Sequence, residues 1–306
     1  MRIPSCLALL LGIFCTQALA FTGPKPGDVV QVSLDQLHPT QSAIGFDQVY
    51  YTLGRFAENR QKLFDEICES NGQAAAKSVN DHADPLNPDS FSCKDEPNAR
   101  PQDMKTVVVG PGGKLYLTDG HHTFSALWEQ PGAGPLLNMK VRITDDFSDS
   151  VDIAAFWTRM QQARKVWLKD GNGQSVDPDQ LPAHLGLQTM QNDVMRSIVY
   201  FVRGAAYDKP KAGKVSPEFL EFYWAQWLRG RLNLSDFDLA ERRGYHRALQ
   251  AAGELMVKPP LSKSISEGLT AKQLGGFKSL KRKALTKTAD EKLPLLIDYK
   301  NAHSAR

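Results

Sequence analysis

The stretch VVVGPGGKLYLTDGHHTFSALW, Val107–Trp128, decides the fold. Thr106–Val109 and Leu115–Thr118 are β-branched or apolar runs, and Gly110-Pro111-Gly112-Gly113 between them is turn chemistry. The segment therefore predicts two short strands joined by a tight turn. Thr123–Glu129 follows with Phe124, Leu127 and Trp128 on one helical face. Asp119-Gly120-His121-His122 thus falls at a strand-to-helix junction. Such a junction gathers backbone N–H groups, the positive end of the helix dipole and several polar side chains, which suits phosphate or another anion. These four residues put a carboxylate and two imidazoles side by side at that point.

Outward from this centre, the first twenty residues read as a signal peptide. Arg2 gives a positive start, Leu7–Phe14 an apolar run too short to span a bilayer, and Ala18-Leu19-Ala20 a small-x-small cleavage site. No later run approaches the ~20 apolar residues of a membrane helix. The expectation is a mature chain that starts near Phe21 and resides in the periplasm or is secreted. In that compartment Cys68 and Cys93, the two cysteines beyond the leader, are expected to form a disulfide.

The rest of the chain reads as an α+β protein. Val29–Leu34 and Asn138–Thr144 are further strand candidates, and His38-Pro39-Thr40-Gln41 reads as a turn. Phe46–Ile67 carries apolar residues at helical spacing, Ser150–Val166 reads as helix, and Trp167–Gly173 as a strand with a turn. Gln73–Asp103 is a long polar insertion. From Leu187 onward the pattern is helical: Thr189–Gly204, then Pro217–Arg229 behind Ser216, then a helix capped by Ser235 that runs to about Met256. This gives a mixed α/β domain over 21–175, an α-helical extension over 176–260 and a basic tail over 261–306. The tail has ten Lys/Arg against four Asp/Glu, a net of +6, whereas residues 21–260 sum to −4. Its composition fits a solvated, partly disordered end, or a surface for phosphate or a membrane.

Strand, turn, strand, DGHH and helix together resemble the ParB/sulfiredoxin superfamily, and more closely its putative ParB-like nuclease branch. Leu37–Gly45 (LHPTQSAIG) resembles the opening PTQ-x-x-x-G element of that branch. Asp193–Gly204 (DVMRSIVYFVRG), with Tyr207, resembles its D-x-x-R-S helix, and Phe219–Arg229 (FLEFYWAQWLR) its E-F-x-W-A helix. Their order is kept over roughly residues 35–250. The resemblance implies a small mixed sheet with helices whose strand-to-helix junction binds nucleotide phosphates. Partitioning proteins of the superfamily read G-E-R-R there and sulfiredoxins G-G-C-H-R. This chain has Gly120, His121, His122 and Thr123, without the sulfiredoxin cysteine and without the phosphate-holding arginine. Sulfinic acid reduction is thereby disfavoured, and chromosome partitioning is disfavoured by the leader and by the lack of a basic recognition helix.

The candidate catalytic residues are Asp119, His121, His122 and Glu221. A histidine would act as acid or base near neutral pH, with Asp119 orienting it. The alternative is structural, with Asp119 capping the helix and an imidazole satisfied by the backbone. Adjacent histidines at a helix start diverge by ~100°, so one would face a pocket while the other packs. The candidate ligand-binding residues are Thr40, Gln41, Gly120, Thr123 and Arg196. Arg196 with Glu221 also reads as an internal ion pair between two helices, and Thr40 and Gln41 as shapers of a turn. Asp119 beside two histidines admits a divalent metal, with His38 and Glu221 as further ligands, but the spacing lacks a paired H-x-x-x-H or C-x-x-C. Two functions follow: an exported phosphodiester hydrolase acting on nucleic acid, or a non-catalytic periplasmic protein that binds a phosphate or nucleotide-type ligand.

Overall fold

A computed structural model of the chain describes residues 23–209 and 217–303. The signal-peptide expectation and Ser216 lie outside them. The core is a five-stranded mixed sheet. Its strands are β1 (Val29–Ser33), β2 (Leu37–Pro39), β6 (Lys105–Val109), β7 (Leu115–Leu117) and β8 (Asn138–Asp146), in the order β1-β8-β6-β7-β2. β6 and β7 form the predicted antiparallel hairpin around Pro111–Gly113. The pleat of β6 sends Val107 and Val109 into the main core and Val108 to the opposite face, where it meets Tyr116, Phe156 and Met160.

Two strands settle the place of the junction. β2 pairs parallel to β7, Leu37 opposite Leu115 and Pro39 opposite Leu117, so both strands deliver their carboxyl ends to one rim of the sheet. The residues read as a turn are therefore partly an edge strand. Pro39 is tolerated because an edge position asks for no ladder N–H. From Thr40 the chain reaches β3 (Ala43–Ile44), which pairs parallel with β9 (Gln191–Asn192). From Leu117 it passes through Thr118, Asp119 and Gly120 into α3 (His121–Glu129).

The helical reading of Phe46–Ile67 needs correction. It is two helices, α1 (Phe46–Glu58) and α2 (Gln61–Ser70), because Asn59 turns extended and its side chain accepts the N–H of Gln61. The insertion after α2 contains a short hairpin, β4 (Ala76–Val79) with β5 (Phe91–Cys93), and the Cys68–Cys93 disulfide ties it to α2. α4 (Ile153–Gln162) is capped by Asp152 and covers the face of Val108. Trp167–Gly173 forms only isolated bridges, one of them from Trp167 to Gln41.

α5 (Val194–Phe201), α6 (Leu220–Arg229) and α7 (Arg242–Met256) pack around Trp224, Phe201 and Tyr245. α7 begins seven residues after Ser235, which sits in a 3-10 turn and caps no α-helix. The tail is folded. A β10–β11 ribbon (Ser264–Ser266, Leu269–Thr270) precedes α8 (Arg282–Glu291) and α9 (Leu293–His303). Leu293, Leu296 and Ile297 are buried, and α9 lies so close to α1 that a Cβ on Gly54 would meet the Leu295 carbonyl at 2.4 Å. Most of the tail's charged residues are exposed, while Lys300 turns inward to Asp47 at 2.7 Å and Lys292 lies over the Tyr51 and Tyr200 rings.

Candidate functional site

The carboxyl ends of β2 and β7 meet through the two histidines. The main-chain N–H of Thr40 donates to Nε2 of His121 at 3.1 Å, and that of Gly45 to Nε2 of His122 at 2.9 Å. The PTQ-x-x-x-G and DGHH segments are thereby clamped together. Gly45 is held to glycine because a Cβ would lie 2.6 Å from Ser197 Oγ and 3.0 Å from its main-chain nitrogen. Gly120 has φ +106°, and a Cβ there would strike the Lys105 side chain at 2.6 Å. That contact lays Lys105 along the start of α3.

The two rings diverge as adjacent helix positions require. His121 is buried, and burial holds its imidazole down to about 3. His122 stays well below the ordinary range through burial and the nearby Arg196. Both rings are therefore neutral at physiological pH and spend Nε2 as an acceptor. His121 faces Thr40 and is not among the residues that line the cavity at the amino end of α3. Thr40 and Gln41 each donate a side-chain hydrogen bond within the fold. The Thr40 hydroxyl donates to the Leu117 carbonyl and the Gln41 amide to the Ala43 carbonyl, and neither residue lines that cavity. His38 rests against Tyr116 and stands outside the site.

A polar cavity of about 300 Å³ opens at the amino end of α3. Asp119, Gly120, His122, Thr123, Arg196 and Glu221 all line it, so six of the sequence candidates converge. The N–H groups of His121, His122 and Thr123 begin the helix and have no intrahelical partners, and Gly120 offers no side-chain cap. Arg55, Lys105, Arg203 and Lys209 join Arg196, giving five cationic side chains against the carboxylates of Glu66, Asp119 and Glu221. Glu221 sits 3.7 Å from Arg196 and 3.6 Å from Arg203. Burial alone would raise its carboxyl, but Arg196, Lys209 and Arg203 hold it down to about 2, so it is a fixed anion and a poor base. Glu66 pairs with Arg55 at 3.6 Å. Asp119 is exposed and has no ion-pair partner among the described residues.

Arg55, Lys105 and Lys209 escape a sequence reading centred on DGHH. The available signal was spacing. Gln48, Thr52 and Arg55 form a polar stripe at i, i+4, i+7 on α1, and Arg196 and Tyr200 on α5, with Arg203 two residues past its end, repeat the spacing. The arginine missing at position 123 is thus replaced in space by arginines of α1 and α5. No cluster of three or more His, Cys, Asp or Glu among the described residues is positioned to hold a metal ion. Two of the cavity's three carboxylates are already committed to arginines, so the donor set does not fit a metal centre.

The family model described as putative ParB-like nuclease matches residues 30–230, more than half of the chain. The chain belongs to the putative ParB-like nuclease family. Every residue that lines this ParB-like cavity falls inside the match. The crystal structure of protein Atu1540 from Agrobacterium tumefaciens is similar with a TM-score of 0.51 at 21% identity, over 79% of this chain and 97% of that one. At that identity the likeness shows the ParB-like fold alone. No curated protein matches this ParB-like chain.

Proposed function

We propose that this protein is an exported, nuclease-like protein that binds phosphate-bearing ligands, nucleic acid among them, in the cavity at the amino end of α3. One observation carries the reading: five cationic side chains converge on the first N–H groups of a helix. Fixed donors and charges of this kind stabilise a phosphoryl group and the extra charge that develops when it is attacked. In the hydrolase form of the reading, Asp119 orients the attacking water and Arg196 and Arg203 hold the phosphoryl oxygens.

A specific observation favours a second form, ligand capture without turnover. His121 and His122 both accept backbone N–H groups, and Glu221 is clamped by two arginines. That leaves Asp119 as the lining carboxylate open to acid–base work among the described residues. Export is supported by the Arg2, Leu7–Phe14 and Ala18–Ala20 pattern and by a disulfide suited to an oxidising compartment. Among the described residues no helix is long and apolar enough to cross a membrane.

The test is cleavage of single- and double-stranded DNA and RNA, with Mg²⁺, Mn²⁺ or Zn²⁺ and with EDTA. Asp119→Asn and Arg196→Gln proteins run beside the wild type. Cleavage lost in both variants supports the hydrolase. Phosphate binding without cleavage, lost with Arg196, supports capture. Cleavage that neither substitution alters would overturn the site.

A further inference from the structure

We propose that the cavity prefers a terminal phosphomonoester, a dianion, over the internal phosphodiester of a polymer. This rests on the phosphate-binding reading and narrows its ligand class. Charge balance comes first. The lining carries two more positive than negative side chains, with His122 neutral. A phosphomonoester above its second ionisation near pH 6 carries about two negative charges, and a diester carries one.

The donors agree. Arg196 is 5% exposed and its Nε has no hydrogen-bond partner among the described residues. One amino group of Arg196 donates to Gln48 at 3.1 Å. The contacts from Arg196 and Arg203 to Glu221 are 3.7 and 3.6 Å, longer than hydrogen bonds. Glu221 therefore neutralises charge without consuming the guanidinium donors. A guanidinium has five N–H groups, and those left over here suit three terminal phosphoryl oxygens better than the two of a diester.

Size and wall chemistry limit the rest of the ligand. The cavity of about 300 Å³ has room for a phosphate and its first substituent. Tyr200 is the single aromatic side chain besides His122 in the lining, and its ring is already packed by Phe201, Tyr51 and Arg203. No free ring face is offered to a nucleobase, so the ligand is read through its phosphate.

The experiment compares adenosine 5′-monophosphate with adenosine 3′,5′-cyclic monophosphate by calorimetry on the full chain at pH 7.5. The two share base and sugar and differ in phosphate esterification. The monophosphate is expected to bind at least about tenfold tighter, with inorganic phosphate competing. Arg196→Gln should weaken it, and Lys105→Gln should reduce the ratio. Lys105 is half-buried and makes no ion pair among the described residues, so its variant keeps the comparison readable if the Arg196 variant fails to fold. Equal affinity for the two nucleotides overturns the dianion preference and leaves the phosphate site standing. Failure of the monophosphate, the cyclic diester and inorganic phosphate alike overturns both. So does binding that neither substitution changes.

Discussion

The main-chain N–H of Gly45 points at Nε2 of His122 from 2.9 Å, across 77 residues of sequence. The bond joins the start of α1 to the start of α3 and fixes which way the His122 ring presents its other face. Because the Gly45 Cα lies against Ser197, the same point also sets the height of α5, and with it Arg196. Three segments recognised separately in the sequence are thus one mechanical unit.

Gly45→Ala should therefore disturb more than a turn. The added methyl would overlap Ser197 Oγ at 2.6 Å, and overpacking of this kind costs roughly 1–3 kcal/mol. Urea unfolding measures the loss. A change within a few tenths of a kcal/mol would show that α1 and α5 slide freely past each other.

His121 makes stability depend on pH. An unfolded imidazole takes up its proton near its ordinary value of 6.5, whereas burial holds the folded one to about 3. Between those values the unfolded chain binds more protons, so stability rises with pH through the window. It is fully present above about pH 6.5 and falls as pH drops towards 3, by a few kcal/mol at the acid end. Denaturant midpoints at pH 7.5, 6 and 5 should decline in that order. In His121→Gln the slope should be smaller, and an unchanged slope would show that the ring is not held neutral.

Glu221→Gln separates the ion pairs from the ligand site. The substitution leaves Arg196 and Arg203 facing each other without their shared anion, at a cost of roughly 1–3 kcal/mol. It also makes the cavity more positive. Inorganic phosphate should then raise the melting temperature more in the variant than in the wild type, since a ligand bound only by the native state stabilises it. A variant as stable as the wild type, with no larger response to phosphate, would remove Glu221 from the site.

Leu296 tests the tail. It is fully buried in α9, which packs on α1, where Lys300 also meets Asp47 at 2.7 Å. Leu296→Ala should cost about 2–5 kcal/mol by calorimetry, as truncations in a packed core do. A solvated extension would show almost no change.

Local rules in the sequence determined a good deal here. The β6–β7 hairpin, the abrupt helix start at DGHH and the amphipathic faces of α4 and α7 follow from turn chemistry, glycine's reach to positive φ and apolar spacing, all of which act within a few residues. The Cys68–Cys93 disulfide agrees with the expectation drawn from the cysteine count. The break at Asn59 and the folding of the tail could not be read that way. The former depends on one side-chain bond, and the latter on a partner surface on α1 that lies more than 200 residues upstream.

Tertiary structure alone decided the chemistry of the site. The sequence put two histidines at a helix start. Only the parallel pairing of β2 with β7 placed Thr40 and Gly45 over their Nε2 atoms and turned both rings into acceptors. The sequence lacked an arginine at position 123, and only the approach of α1 and α5 to the amino end of α3 supplied one from elsewhere. Charge acts through space and backbone hydrogen bonds act at contact, so neither is fixed until helices distant in the chain are brought together.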